Sequence, residues 1–221
     1  MSQPAATPSP ARFRLRLERC GPGLWWDQKR FLAALRIMLK DAGFERRADG
    51  AYITAAPVSP PGCASAHEYA ELALFTPATC ASLMNRLRAA LDAGLRLLSV
   101  VRLPAWALDI RKALTARCHE VVCPALDASR AAAFLAAAQW PWTRWKKGQA
   151  RVLDLRPAVP EMVCLSRRVR FAVECSDIAP KPAEIMASVF GMPLAEALLL
   201  PTACTGIRMA RQPAHRGPLS L

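Results

Sequence analysis

The sequence has 221 residues, 53% of them hydrophobic and 21% charged, with 30 Lys and Arg against 17 Asp and Glu for a formal charge of +13. That much apolar material supports a real core, in one compact unit or two small subdomains packed together, and excludes global disorder. An excess of positive charge this large favours a polyanionic partner, RNA or DNA ahead of an acidic protein or a membrane surface. An Ala- and Arg-rich composition is the competing explanation of the charge.

Residues 1–10, Met-Ser-Gln-Pro-Ala-Ala-Thr-Pro-Ser-Pro, lack the charged and apolar regions of a secretory signal and read as a disordered arm. Strict alternation in Arg12-Phe13-Arg14-Leu15-Arg16-Leu17 predicts a strand with an apolar face and a basic face. Beyond the Cys20-Gly-Pro-Gly23 turn, the spacing of Phe31, Leu35, Met38 and Leu39 predicts a helix ending at Gly43. Residues 44–56 and 65–75 have extended character about the connection Pro57–Gly62 and read as a hairpin. Thr76-Pro77 is the expected start of a second helix through Leu83, Leu87 and Leu91 to Gly94, and Leu95–Leu103 resumes a strand.

The order β-α-β-β-α-β over residues 11–103 predicts a ferredoxin-like unit, with both helices on one sheet face and the other open. An open face bearing Arg12, Arg14 and Arg16 suits nucleic acid. Residues 104–210 read as a second, smaller α+β unit packed against the first, and 211–221 as a flexible tail. Its expected parts are a connector at Pro104–Leu108, a strand at Thr115–Cys123 and an Ala-rich helix capped by Asp127. Strands at Thr143–Trp145, Arg151–Leu155 and Val163–Glu174, a helix at Pro182–Phe190 closed by Gly191, and a last strand at Ala203–Met209 complete it. Apolar runs at Leu97–Val101 and Ala197–Leu200 stop far short of the roughly 20 residues needed to cross a bilayer, so no membrane partner is expected. Eight cysteines without an export signal read as reduced thiols, which points to the cytoplasm.

The densest charge lies between Arg144 and Arg170, where Arg144, Lys146, Lys147, Arg151, Arg156, Arg167, Arg168 and Arg170 face only Asp154 and Glu161. Trp140, Trp142 and Trp145 precede or interrupt this run. Aromatic rings beside basic side chains are what stacking on unpaired bases with phosphate neutralisation requires; the bland reading is core tryptophans and a solvated charged face. The cysteines form no CxxC pair or cluster-binding motif, and a strand sends Cys118 and His119 to opposite faces, so no metal or other cofactor is expected. His67 and Tyr69 share a face while Glu68 points away, which assembles no acid/base pair. Phosphate-loop, serine-elbow and HExxH motifs are missing.

Several stretches fall in the order and spacing of a known family. They are the Arg12–Glu18 strand, the Cys20-Gly-Pro turn, Pro61-Gly62 followed by Ser65 and Glu68-Tyr69, Phe134-Leu-Ala-Ala137, Trp142–Gly148, Val152-Leu-Asp-Leu-Arg-Pro157, Lys181-Pro182, Phe190-Gly191 and Thr205-Gly206. In these the chain resembles the radical-SAM-linked proteins, an uncharacterised bacterial group encoded beside, or fused to, cobalamin-type radical SAM proteins. Asp154 to Pro157 is the most specific match. Where members usually carry Ser-His-x-Asp at the first helix, this chain has Asp27-Gln28-Lys29-Arg30, and a usual Gly-Phe-Asn-Pro-His-Pro loop is missing after Gly50. The resemblance therefore implies a scaffold and a radical SAM partner, of the cobalamin type that accompanies the group, and carries over no catalytic residue. Asp154 and Arg156, at i and i+2, share a strand face where an Arg fork meets a phosphate or carboxylate, or forms a surface salt bridge.

The leading expectation is a non-catalytic accessory that binds RNA, either tRNA or rRNA, for a separate radical SAM enzyme. Its expected contacts are Arg12, Arg14, Arg16, Arg144, Lys146, Lys147, Arg151, Arg156, Arg168 and Arg170, with Trp142 and Trp145 as stacking rings. The alternatives are a subunit that docks on the radical SAM protein without nucleic acid, and an RNA-processing enzyme using His67 and Tyr69.

Overall fold

A computed structural model describes residues 9–44, 51–176 and 178–210. The chain is α+β, as the sequence predicts. Its first part contains β1 (Ala11–Arg19), a 3-10 turn (Gly21–Trp25), α1 (Gln28–Asp41), β2 (Tyr52–Ala55), β3 (Cys63–Leu74), α2 (Cys80–Ala89) and β4 (Leu95–Leu103). There follow α3 (Ile110–Ala113), β5 (Leu114–Val122), α4 (Ala128–Ala136), β6 (Pro141–Lys146) and β7 (Gln149–Asp154). Last come β8 (Met162–Leu165), β9 (Arg168–Glu174), α5 (Pro182–Phe190), α6 (Leu194–Ala197) and β10 (Thr202–Met209). No helix among the described residues is long and apolar enough to cross a membrane.

Local chemistry explains where the elements start and stop. The Asp27 carboxylate accepts from the Arg30 amide at 2.8 Å and starts α1, which buries Phe31, Leu35, Met38 and Leu39. The second helix begins later than Thr76-Pro77: its cap is Thr79, whose hydroxyl accepts from the Ser82 amide at 3.1 Å. Because β3 runs as far as Leu74, the chain needs a bend before it can turn back as a helix. Asp127 caps α4, and Gly191, with φ of 68°, closes α5 in the left-handed region that suits glycine. The stretch 163–174 is two strands, β8 and β9, folded about Ser166 with φ of 48°. The polar triplet Ser166-Arg167-Arg168 separates the two apolar runs at this turn.

Eight strands form one sheet in the order β4-β1-β3-β10-β5-β9-β8, with β2 also pairing β3; β6 and β7 form a separate hairpin. Within residues 11–103 the strands pair β4-β1-β3-β2, antiparallel throughout. The last strand, β10, lies in the middle, parallel to β3 and antiparallel to β5. It joins the two expected units into a single sheet.

Register defines the two faces. Arg19, Ser65, Cys204, His119, Phe171 and Met162 stand opposite one another across β1, β3, β10, β5, β9 and β8, and all six are buried. One residue along, the row Ala64, Ala203, Glu120, Arg170 and Val163 belongs to the other face, and none of the five is buried. On the buried face, one cluster packs Phe13, Leu15 and Leu17 against Phe31, Leu35, Leu83 and Leu87. A second packs Val121, Val169 and Phe171 against Phe134, Ile185 and Val189.

Candidate functional site

The three arginines of β1 point to the open face but differ in what they hold. Arg12 and Arg14 converge on one buried carboxylate, Glu71 of β3, at 2.7 and 2.6 Å. They also donate to the carbonyls of Ala107 and Leu108, fastening the connector after β4 across the sheet. Arg16 pairs with no carboxylate among the described residues. Its Nε donates to the Ala66 carbonyl at 2.9 Å, and its terminal nitrogens have no hydrogen-bond partner among the described residues. The open face is thus already occupied beside Arg12 and Arg14 and presents a free guanidinium edge at Arg16.

A second two-arginine cluster lies inside the protein, at the seam between the apolar clusters. Glu68 is fully buried, 3.2 Å from Arg117 and 3.4 Å from Arg19, and accepts from the Ser59 amide at 3.1 Å. Arg117 also donates to the Ser59 hydroxyl and to the carbonyls of His67 and Pro57, while Arg19 donates to those of Trp26, Pro60 and Cys63. Every carbonyl that these forks hold, apart from that of Trp26, belongs to β3 or to the loop entering it. Glu68 therefore belongs to the scaffold, as does Tyr69, which packs against the small cluster of Ala56, Ile110 and Leu114.

The basic stretch 144–170 separates into several environments. Arg144 turns inward to Glu184, at 2.7 and 2.5 Å, and to the Ala179 carbonyl. Arg156 donates to the carbonyls of Leu135 and Val159, and its guanidinium carbon is 5.6 Å from the Phe134 ring centroid. Asp154 accepts from the amides of Trp140 and Arg156 at 2.8 and 3.0 Å. The Asp154–Pro157 motif thus ties β7 to the end of α4 and to the turn into β8. Asp154 and Arg156 also border a shallow recess of about 520 Å³ with Gln139, Pro157 and Pro160.

Other members of the stretch are surface groups. Arg168 and Arg170 share Glu120 at 3.0 and 2.6 Å, again two arginines on one glutamate. Arg151 stands opposite Arg144 in the hairpin and is exposed, without a partner among the described residues. Lys147 and Gly148 form the hairpin tip, with φ of 52° and 77°. Positive φ at two successive residues matches the turn that joins tightly twisted strands. Lys146 lies on β6. Trp142 is partly buried against the second apolar cluster, whereas Trp145 is 71% exposed. Of the two expected stacking rings, Trp145 is the one open to a ligand.

Among the described residues no side-chain carboxylate is hydrogen-bonded to His67. Its Nδ1 is buried without a hydrogen-bond partner, and burial, aided by Arg16 and Arg117, holds the imidazole below its ordinary value and neutral. His119 faces inward, 3.8 Å from the Cys63 sulfur, and Cys118 faces outward. Among the described residues no three His, Cys, Asp or Glu side chains are grouped to hold a metal ion. Burial raises the Cys63 thiol to about 12.

Arg19, Arg117, Glu71, Glu120 and Glu184 were not singled out in the sequence. Each acts through a partner distant in the chain, so only the tertiary packing reveals it.

These features define a basic α+β protein built on one continuous sheet, with an open face and a projecting hairpin. The chain belongs to the family described as an uncharacterized protein conserved in bacteria (DUF2344), which matches residues 41–180. The match includes Glu68, Arg117 and the Asp154–Pro157 motif. No curated protein matches the chain.

Proposed function

We propose that this protein is a non-catalytic RNA-binding accessory of a separate radical SAM enzyme, acting in the modification of tRNA or rRNA. The observation that carries the RNA part is the β6–β7 hairpin, where Trp145 stands exposed on one face, Arg151 on the other and Lys147 at the tip. An indole stacks on an unpaired base of any identity, and neighbouring cations neutralise the phosphates on either side. Arg144 does not compete for this role, because Glu184 holds it inward. Arg16 supplies the terminal nitrogens of a further guanidinium on the open sheet face, with no hydrogen-bond partner among the described residues. The radical SAM part rests on the resemblance carried by the Asp154–Pro157 motif and the stretches around it.

Fluorescence anisotropy with labelled tRNA and with an unstructured RNA tests the reading. Affinity should fall steeply as salt rises, with a slope set by the number of phosphates contacted. A flat salt dependence, or no binding at low salt, removes RNA from the proposal.

A further inference from the structure

β8 is an outer strand of the sheet, and its sequence, Met-Val-Cys-Leu, carries no charge. Unpaired backbone groups on such an edge template another strand, and proteins normally blunt them with charge, bulges or cover. The opposite edge, β4, follows that rule: it carries Arg96 and Arg102, and its pairing with β1 shifts register beside Leu97. β8 lacks these devices. On the open face beside it, Val163 is 54% and Leu165 41% exposed.

The neighbouring strand supplies the matching charge. Val163 stands opposite Arg170, and Leu165 opposite Arg168. One strand further in, these arginines face Glu120 and Val122. The result is a chequered patch of aliphatic and guanidinium groups. Glu120 binds one nitrogen of each arginine, which orders both forks, leaves one positive charge in excess and leaves further N–H groups turned to solvent.

We propose that β8 and the adjoining face of β9 dock an extended acidic segment of a partner protein, which adds to the sheet as a further strand. Its backbone would pair with the free edge of β8. On the open face its carboxylates would reach Arg168 and Arg170 with their methylene stems over Val163 and Leu165, and the aliphatic side chains at alternate positions would lie on the other face, beside Met162 and Cys164. A second copy of this chain is a poor occupant, since the β8 it would contribute carries no carboxylate to offer Arg168 and Arg170. RNA is also a poor occupant, because the apolar members of the patch are aliphatic and offer no ring for a base to stack on. This surface is independent of the β6–β7 hairpin and does not require that the protein bind RNA.

The test uses the full chain and two labelled octapeptides, one alternating Glu and Val and the other Lys and Val, with a single-stranded RNA as a third probe. The acidic peptide should bind and slow hydrogen exchange at residues 162–165, while the basic peptide should not bind. Val163→Thr with Leu165→Thr keeps strand propensity and should weaken the acidic peptide about tenfold, leaving RNA affinity unchanged. Arg168→Glu with Arg170→Glu should shift preference to the basic peptide. The proposal is overturned if the acidic peptide does not bind, if protection lies elsewhere, or if the double threonine variant stays within about twofold of the parent. It is equally overturned if that variant loses RNA as strongly as peptide, or if sedimentation shows a dimer that the variant dissociates.

Discussion

Glu68 on β3 and Arg117 on β5 meet 3.2 Å apart across a sheet in which β10 lies between their strands, though 49 residues separate them in sequence. With Arg19 on β1, they link three strands from both halves of the fold around one buried carboxylate. Removing it leaves two buried guanidinium groups facing each other. Glu68→Gln should therefore cost about 3–5 kcal/mol in urea unfolding. Replacing Arg19, Glu68 and Arg117 together by apolar residues of similar volume should recover most of that loss. A Glu68→Gln loss below about 1 kcal/mol would remove the seam from the account of stability.

Arg144 and Arg151 face each other in one hairpin and should separate stability from binding. Arg144→Ala deprives the largely buried Glu184 of its ion pair and should lower stability by about 1–3 kcal/mol. Arg151→Ala should leave the unfolding midpoint unchanged but flatten the salt slope of RNA binding by about one phosphate contact. Equal effects of the two substitutions on binding would contradict the division.

Trp145→Ala should weaken single-stranded RNA binding by about 1–3 kcal/mol, roughly 5- to 150-fold, without shifting the melting temperature. The comparison is Trp142→Ala, which lowers stability because Trp142 packs on the second apolar cluster.

His119 gives the fold a predictable acid sensitivity. Burial, with Arg117 as second cause, lowers its imidazole from 6.5 to about 3. Between those values the unfolded chain binds a proton that the folded chain excludes. This contribution to stability is complete above the ordinary histidine value and declines as pH falls, by up to about 1.4 kcal/mol per pH unit. His119→Gln should remove that part of the slope, and urea midpoints at several pH values between 7 and 4 measure it. Parallel pH profiles for the two proteins would refute it.

Gly23→Ala should be among the most damaging single changes outside the apolar clusters. A Cβ at this position would lie 1.9 Å from the Gly94 carbonyl oxygen, so the 3-10 turn would have to leave the turn that enters β4. The expected loss is about 1–3 kcal/mol, read as a lower denaturation midpoint with unchanged RNA affinity at temperatures where the variant is folded.

Local periodicity carried much of the fold. The buried face of α1, the limits of β4 and α5, and the Asp127 cap follow directly from residue spacing. What periodicity could not show was pairing. β10 reads as an ordinary last strand, and its place between β3 and β5 follows from register with residues far earlier in the chain. The same limit applies to the site. Arg12, Arg14 and Arg16 alternate identically in sequence, yet Glu71 holds the first two and leaves the third open. Arg144 and Arg151 are indistinguishable by composition, and only Glu184 separates an inward guanidinium from an outward one.

The central position of β10 sets an order of assembly during translation. Until residues 202–209 leave the ribosome, β3 and β5 each lack a neighbour, and the nascent chain holds two incomplete sheets with open inner edges. Closure then depends on contacts of long sequence separation, which form slowly and leave strand edges exposed in the meantime. Chains truncated before β10 should accumulate as aggregation-prone halves that retain their helices, while a separately supplied β10 peptide should rescue solubility by filling the gap.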